Sequence, residues 1–146
     1  MARLNYKRLI IGTVAGALAW SLWTSIVTMS QLLPAYRNEQ QLGHMLAIPR
    51  FGFGLFFAEW LLMVVTVSAI VAWSYARFQS QLGSRFKAAL VIGGLLGFLV
   101  SVPIDLSVIT WNAVSPSIPM AWTLDAWVGV VLATGVVALV YRESRV

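Results

Sequence analysis

The chain has 146 residues, of which 60% are hydrophobic and only 10% charged, with a formal net charge of +5. A mean hydropathy of +0.83 leaves too little polar surface for a soluble domain, which excludes a soluble enzyme, a nucleic-acid-binding module and a disordered tail. Cysteine is absent, so disulfides, iron–sulfur clusters and thiol chemistry are excluded as well.

Four apolar stretches, at about residues 9–33, 51–75, 88–111 and 118–141, are each long enough to cross a bilayer, for which about 20 helical residues are needed. In lipid every backbone polar group must be satisfied within its own segment, so the spans are expected to be helices. The expected fold is therefore an all-α integral membrane protein: one domain, a four-helix antiparallel bundle. Between the spans lie loops at 34–50, 76–87 and 112–117, none large enough for a soluble domain.

The first span follows Arg3, Lys7 and Arg8 and contains Ala17-Leu18-Ala19, a tripeptide that also suits signal-peptide cleavage. The apolar run continues to Leu33, longer than a usual signal core, so an uncleaved helix is expected. Gly12 and Gly16 form a GxxxG pair on this helix, which lets a neighbouring backbone approach closely. Ser21, Thr24, Thr28 and Gln31 recur every three or four residues and so share one polar face. Trp20 and Trp23 lie near mid-helix, away from the interfaces where tryptophan usually sits. They are expected either to fill the bundle core or to present an aromatic surface to a partner helix, a bound lipid, a quinone or a pigment.

The second span opens beside Arg50 and contains Glu59 among apolar neighbours (Leu55, Leu62, Met63), so pairing with Arg50 or Arg37 is expected. In the third span Gly93, Gly97, Ser101 and Asp105 follow at four-residue steps, and Pro103 interrupts the hydrogen-bond ladder. The fourth span repeats the pattern with Asp125, Gly129 and Ala133. A shift of 66 residues aligns Glu59 with Asp125 and Tyr75 with Tyr141, and a shift of 81 aligns Gly12 with Gly93 and Gly16 with Gly97. These matches suggest a parallel repeat of two hairpins.

Lys and Arg set the orientation. Eight (Arg3, Lys7, Arg8, Arg77, Arg85, Lys87, Arg142, Arg145) fall on the side of the termini and only Arg37 and Arg50 on the other. That bias places both termini in the cytoplasm, with a bacterial inner membrane as the expected location. Trp60, Trp111, Trp122 and Tyr36 then become anchors of the outer interface, and Tyr6, Trp73, Tyr75 and Tyr141 of the inner one.

Three of the five acidic residues, Glu59, Asp105 and Asp125, lie inside apolar spans. At 1.5 Å per residue their depths from the outer ends of their helices are about 12, about 9 and about 6–10 Å. Carboxylates in lipid normally face a cavity, a cation or the protein interior. The candidate polar site is therefore Glu59, Asp105, Asp125, Arg50, Thr24, Thr28 and Ser101, with Gly12, Gly16, Gly93, Gly97 and Gly129 as packing positions. A structural network joining Arg50 to the acids is the first expectation. A cation or proton site in an oligomeric transporter is the second.

A two-aspartate topology with both termini inside also resembles the lipoprotein signal peptidases, membrane aspartyl proteases. That resemblance implies that Asp105 and Asp125 share a proton and activate water. It rests on topology and those two residues, because Pro103-Ile104-Asp105-Leu106 and Thr123-Leu124-Asp125-Ala126 lack that family's asparagine- and glycine-rich surroundings. His44 is the one histidine and lies in a loop, which excludes bis-histidine haem ligation within the chain. No zinc spacing, phosphate loop or nucleophile–histidine–acid set is present. The chain looks like small four-helix bacterial membrane proteins, and the expected role is a non-catalytic accessory subunit. Its expected partners are membrane lipid and other membrane subunits or copies of itself, with no nucleic acid.

Overall fold

A computed structural model describes residues 4–141, which form helices and connecting turns with no strands. Arg3, Arg142 and Arg145, used above for orientation, lie outside the described residues. Helix α1 (Tyr6–Val27) passes through one π-helical turn (Thr28–Leu32) into α2 (Leu33–Gln41), giving a continuous rod of 36 residues. Helices α3 (Gly52–Leu82), α4 (Arg85–Trp111) and α5 (Ser117–Val140) complete the bundle. The rod α1–α2 and helices α3, α4 and α5 are each long and apolar enough to cross a membrane.

Two of the expected loops are largely helical. The 34–50 segment is helical as far as Gln41, and the 76–87 segment breaks only at Gly83 and Ser84. Hydropathy marks where a chain leaves lipid, whereas a helix ends only where the backbone turns. Gly83 provides that turn with a φ of 90°, and the Ser84 hydroxyl then caps α4 by accepting from the Lys87 N–H. The π turn has an equally local cause. Pro34 has no N–H to offer Ser30, so the ladder slips and the Leu33 N–H reaches back to the Thr28 carbonyl.

Helix α5 lies between α1 and α4, and glycines set both interfaces. Along α1, Gly12 faces Val137, Gly16 faces Ala133, Trp20 faces Gly129, and Thr24 bonds Asp125. Each four-residue step along α1 is matched by four residues backwards along α5, so the pair is antiparallel and in strict register. A methyl group on Gly16 would lie 3.3 Å from Ala133, and one on Gly129 would collide with the Trp20 indole, which is only 1% exposed. On the other side, a methyl on Gly93 would lie 2.8 Å from the Thr134 hydroxyl, and one on Gly97 2.9 Å from the Trp127 carbonyl oxygen. The Trp127 indole N–H donates to the Gly94 carbonyl at 3.0 Å and its ring packs edge-on against Phe98.

Helix α3 joins the bundle mainly through the half nearer α4, with Trp60 the one half-buried side chain of its first half packed on the core. Its buried residues run from Val64 through Ser68, Val71, Ala72 and Tyr75 to Ala76, and none of the residues before Val64 is buried. Tyr75 and Tyr141 are core residues, 0% and 2% exposed and edge to face at 6.3 Å, rather than interfacial anchors. The Tyr141 hydroxyl accepts from the Asn5 N–H at 3.4 Å, which brings the two ends of the described chain together. Beside them the Arg85 guanidinium donates to the Ala138 and Tyr141 carbonyls at the end of α5. A cation there complements the helix dipole.

Close approach at Gly97 and Gly129 makes a sharp comparison with Gly94, whose added methyl would meet nothing within 4 Å. Gly129→Ala and Gly97→Ala are each expected to lose about 1–3 kcal/mol by overpacking. Gly94→Ala should leave stability unchanged or raise it by up to about 1 kcal/mol through helix propensity. Denaturation of the purified variants in mild detergent measures the difference.

Candidate functional site

The acids enter the fold separately. Asp125 on α5 accepts from the Thr24 hydroxyl of α1 at 2.7 Å. Asp105 on α4, 7% exposed, accepts from the Thr123 hydroxyl of α5 at 2.7 Å. Positions 123 and 125 of an α-helix differ by about 200° of rotation, so α5 turns Asp125 towards α1 and Thr123 towards α4. The two aspartates thus lie on opposite sides of α5, each with its own hydroxyl partner. They do not form the shared-proton pair that an aspartyl protease needs.

The expected network around Arg50 is absent among the described residues. Arg50 is exposed with no ion-pair partner, and Glu59 is exposed on α3 with neither an ion pair nor a hydrogen bond. The one carboxylate contact to a basic side chain among the described residues joins His44 Nδ1 to the buried Glu39 at 3.0 Å. Glu39 also accepts the His44 N–H on its main-chain oxygen at 2.9 Å, which fastens the turn after α2. The reason Glu59 stays outside lies in the packing of α3: before Val64 only the side of this helix carrying Phe56, Phe57 and Trp60 turns towards α1, and Glu59 points away from it. No group of three or more His, Cys, Asp or Glu side chains able to hold a metal occurs among the described residues.

Ser101 and Thr28 also lie apart from the acids. Ser101 is buried and donates to the Gly97 carbonyl of its own helix at 2.8 Å. Thr28 faces instead a cavity of about 390 Å³ between the α1–α2 rod and the first half of α3. Ser21, Thr24, Ser25 and Thr28 line one wall, and Phe56, Phe57 and Trp60 the other. Tyr36 and Trp122 close one end, where the Trp122 indole N–H donates to the Tyr36 hydroxyl at 2.5 Å. Phe57 and Trp60 stand seven and four residues before Val64, on the same face of α3. That face is sealed at Val64, still touches the core at Trp60, and is exposed at Phe57, which opens the cavity sideways.

Sequence reasoning identified the hydroxyl stripe but not this aromatic wall. Pro34 was the available signal, since the π turn it causes brings Thr28, Met29 and Leu32 to the cavity lining. Comparison with protein-family models, with curated proteins and with solved structures finds no match to this chain.

Interhelical hydrogen bonds in membranes contribute about 0.6 kcal/mol on average and up to about 1.7 kcal/mol. Thr24→Val and Asp125→Asn are expected to be non-additive by an amount in that range when combined, because they share one bond. Thr24→Val with Asp105→Asn should be additive within about 0.5 kcal/mol, since these residues belong to different bonds. Double-mutant cycles on unfolding free energy test both statements.

Proposed function

We propose that the chain is a non-catalytic subunit of a larger assembly in a bacterial inner membrane, with both termini cytoplasmic. The observation that carries this reading is the exposed carboxylate of Glu59 on an apolar helix face. Leu55 and Leu62, exposed by 47% and 68%, lie one turn to either side of it. Apolar residues continue in both directions along α3, so in a lone molecule Glu59 would face hydrocarbon. An ionisable side chain is costly there and calls for a partner.

The partner this face fits is a transmembrane helix of a different protein that offers a cation or a hydrogen-bond donor opposite Glu59. A second copy docked through the same face about a two-fold axis would bring Glu59 against Glu59, which is repulsive. Asp105 and Asp125 support the same reading from the inside. Each is held by a threonine across a helix interface, as expected of bundle fasteners and not of a conduction path. The excess of basic residues on the side of the termini supports the orientation.

Photo-crosslinkers placed at Leu62 and, as a control, at Leu99 on α4 test the proposal in native membranes. A single heterologous product from Leu62, weakened at least several-fold by Glu59→Leu and absent from Leu99, supports it. A product formed only with a second copy replaces it with self-assembly. Proton or cation flux in proteoliposomes of the purified chain that is abolished by Glu59→Gln would replace it with the transporter reading. Asp105→Asn is expected to lower stability while leaving the crosslink in place.

A further inference from the structure

We propose that the cavity between α1 and α3 binds a neutral, membrane-soluble alcohol: a long-chain or isoprenoid alcohol whose hydroxyl enters among Thr24, Ser25 and Thr28. The tail would lie against Phe56, Phe57 and Trp60. Around α3, Glu59 lies about 60° from Phe56 and about 100° from Trp60, so the cavity wall and the Glu59 face are distinct.

The argument rests on the hydrogen-bond inventory of the polar wall. Three of its four hydroxyl protons are already committed. Ser21 donates to the Ala17 carbonyl at 2.8 Å, Ser25 to the Ser21 carbonyl at 3.0 Å, and Thr24 to Asp125 at 2.7 Å. Their oxygens retain lone pairs and can still accept. Thr28 alone in this row keeps a hydroxyl proton without a partner among the described residues, and the π turn is what sets it against the cavity. A wall of acceptors with one free donor in its last turn suits a group that both donates and accepts.

An alcohol is such a group. A quinone or ester carbonyl only accepts, and would leave the acceptors on Ser21, Thr24 and Ser25 unused. A hydrocarbon pigment would leave the Thr28 hydroxyl unpaired. Burying a polar group without a hydrogen bond is costly, and more so where no water competes. The dimensions also agree. A volume of about 390 Å³ corresponds to roughly a dozen water-sized groups at about 30 Å³ each, enough for a hydroxyl head and the first part of a chain. The remainder can pass out between exposed Met29 and Phe56, 76% and 56% accessible, into the surrounding lipid. Trp122 and Tyr36, bonded to each other, stop the other end.

The test uses the purified full-length chain in lipid nanodiscs and a hexadecanol analogue bearing a diazirine. Labelled residues are located by mass spectrometry, with unlabelled hexadecanol and its methyl ether as competitors. The label is expected on residues 21–36 and 53–60. The alcohol should compete about 3- to 10-fold better than the ether, the factor that loss of one donated hydrogen bond gives. Thr28→Val keeps the side-chain shape and removes a hydroxyl that bonds nothing, so it should fold normally and reduce labelling several-fold. Ser25→Leu, which fills the cavity from its open side, should abolish labelling while circular dichroism stays unchanged. Labelling spread equally over the exposed face of α4 at Leu90, Leu95 and Leu99 would overturn the proposal. So would equal competition by the ether, or full labelling of correctly folded Thr28→Val.

Discussion

The structure depends on the absence of side chains along two lines of α5 contact. Lipid offers no hydrophobic drive for one helix to seek another, so association must come from close packing and interhelical hydrogen bonds. Gly16 brings the backbone of α1 onto Ala133, Gly129 receives the Trp20 indole, and Gly93 and Gly97 let α4 rest against Thr134 and Trp127. Once these approaches are made, rotation and register of three helices are fixed together. The Thr24–Asp125 and Thr123–Asp105 hydrogen bonds then form at positions the packing has already selected.

Those two bonds explain how a chain so poor in polar residues accommodates carboxylates within its spans. Each aspartate is supplied with one hydroxyl from the neighbouring helix. The pairs sit on opposite sides of α5 and tie it separately to α1 and α4. An arrangement for catalysis or conduction would bring the acids towards one another. Here helix rotation between positions 123 and 125 keeps them apart.

Much of this was legible in the sequence, and the failures have identifiable causes. Four-residue periodicity marked Gly12, Gly16, Gly93, Gly97 and Gly129, and the same period placed Thr24 and Thr28 on a common stripe. Depth along a helix put Asp105, Asp125 and Glu59 at similar levels, but depth carries no information about azimuth, which decides whether acids meet. Glu59 shows the difference most plainly: its level matches the aspartates and its direction does not. Arg50 was paired with the acids because it opens the second span on their side of the membrane, although nothing in a span pattern says where an exposed residue before a helix will point. Tyr75 and Tyr141 look like interfacial tyrosines because they end apolar runs, yet helices that continue to Leu82, and an Asn5–Tyr141 bond, bring both inward. The cavity escaped notice because its aromatic wall arises from a lost contact, the departure of α3 from the bundle before Val64.

The central position of α5 has a consequence for biogenesis. Ribosomes deliver α1, α3 and α4 to the membrane first, and the helix that binds α1 to α4 emerges last. Until then the small-residue faces of α1 and α4, with Thr24 and Asp105, have no permanent occupant and are open to insertion chaperones or to membrane proteases. Commitment to the folded state therefore falls late in synthesis, and a nascent chain that stalls before Asp125 would leave exposed the very surfaces that the folded bundle conceals.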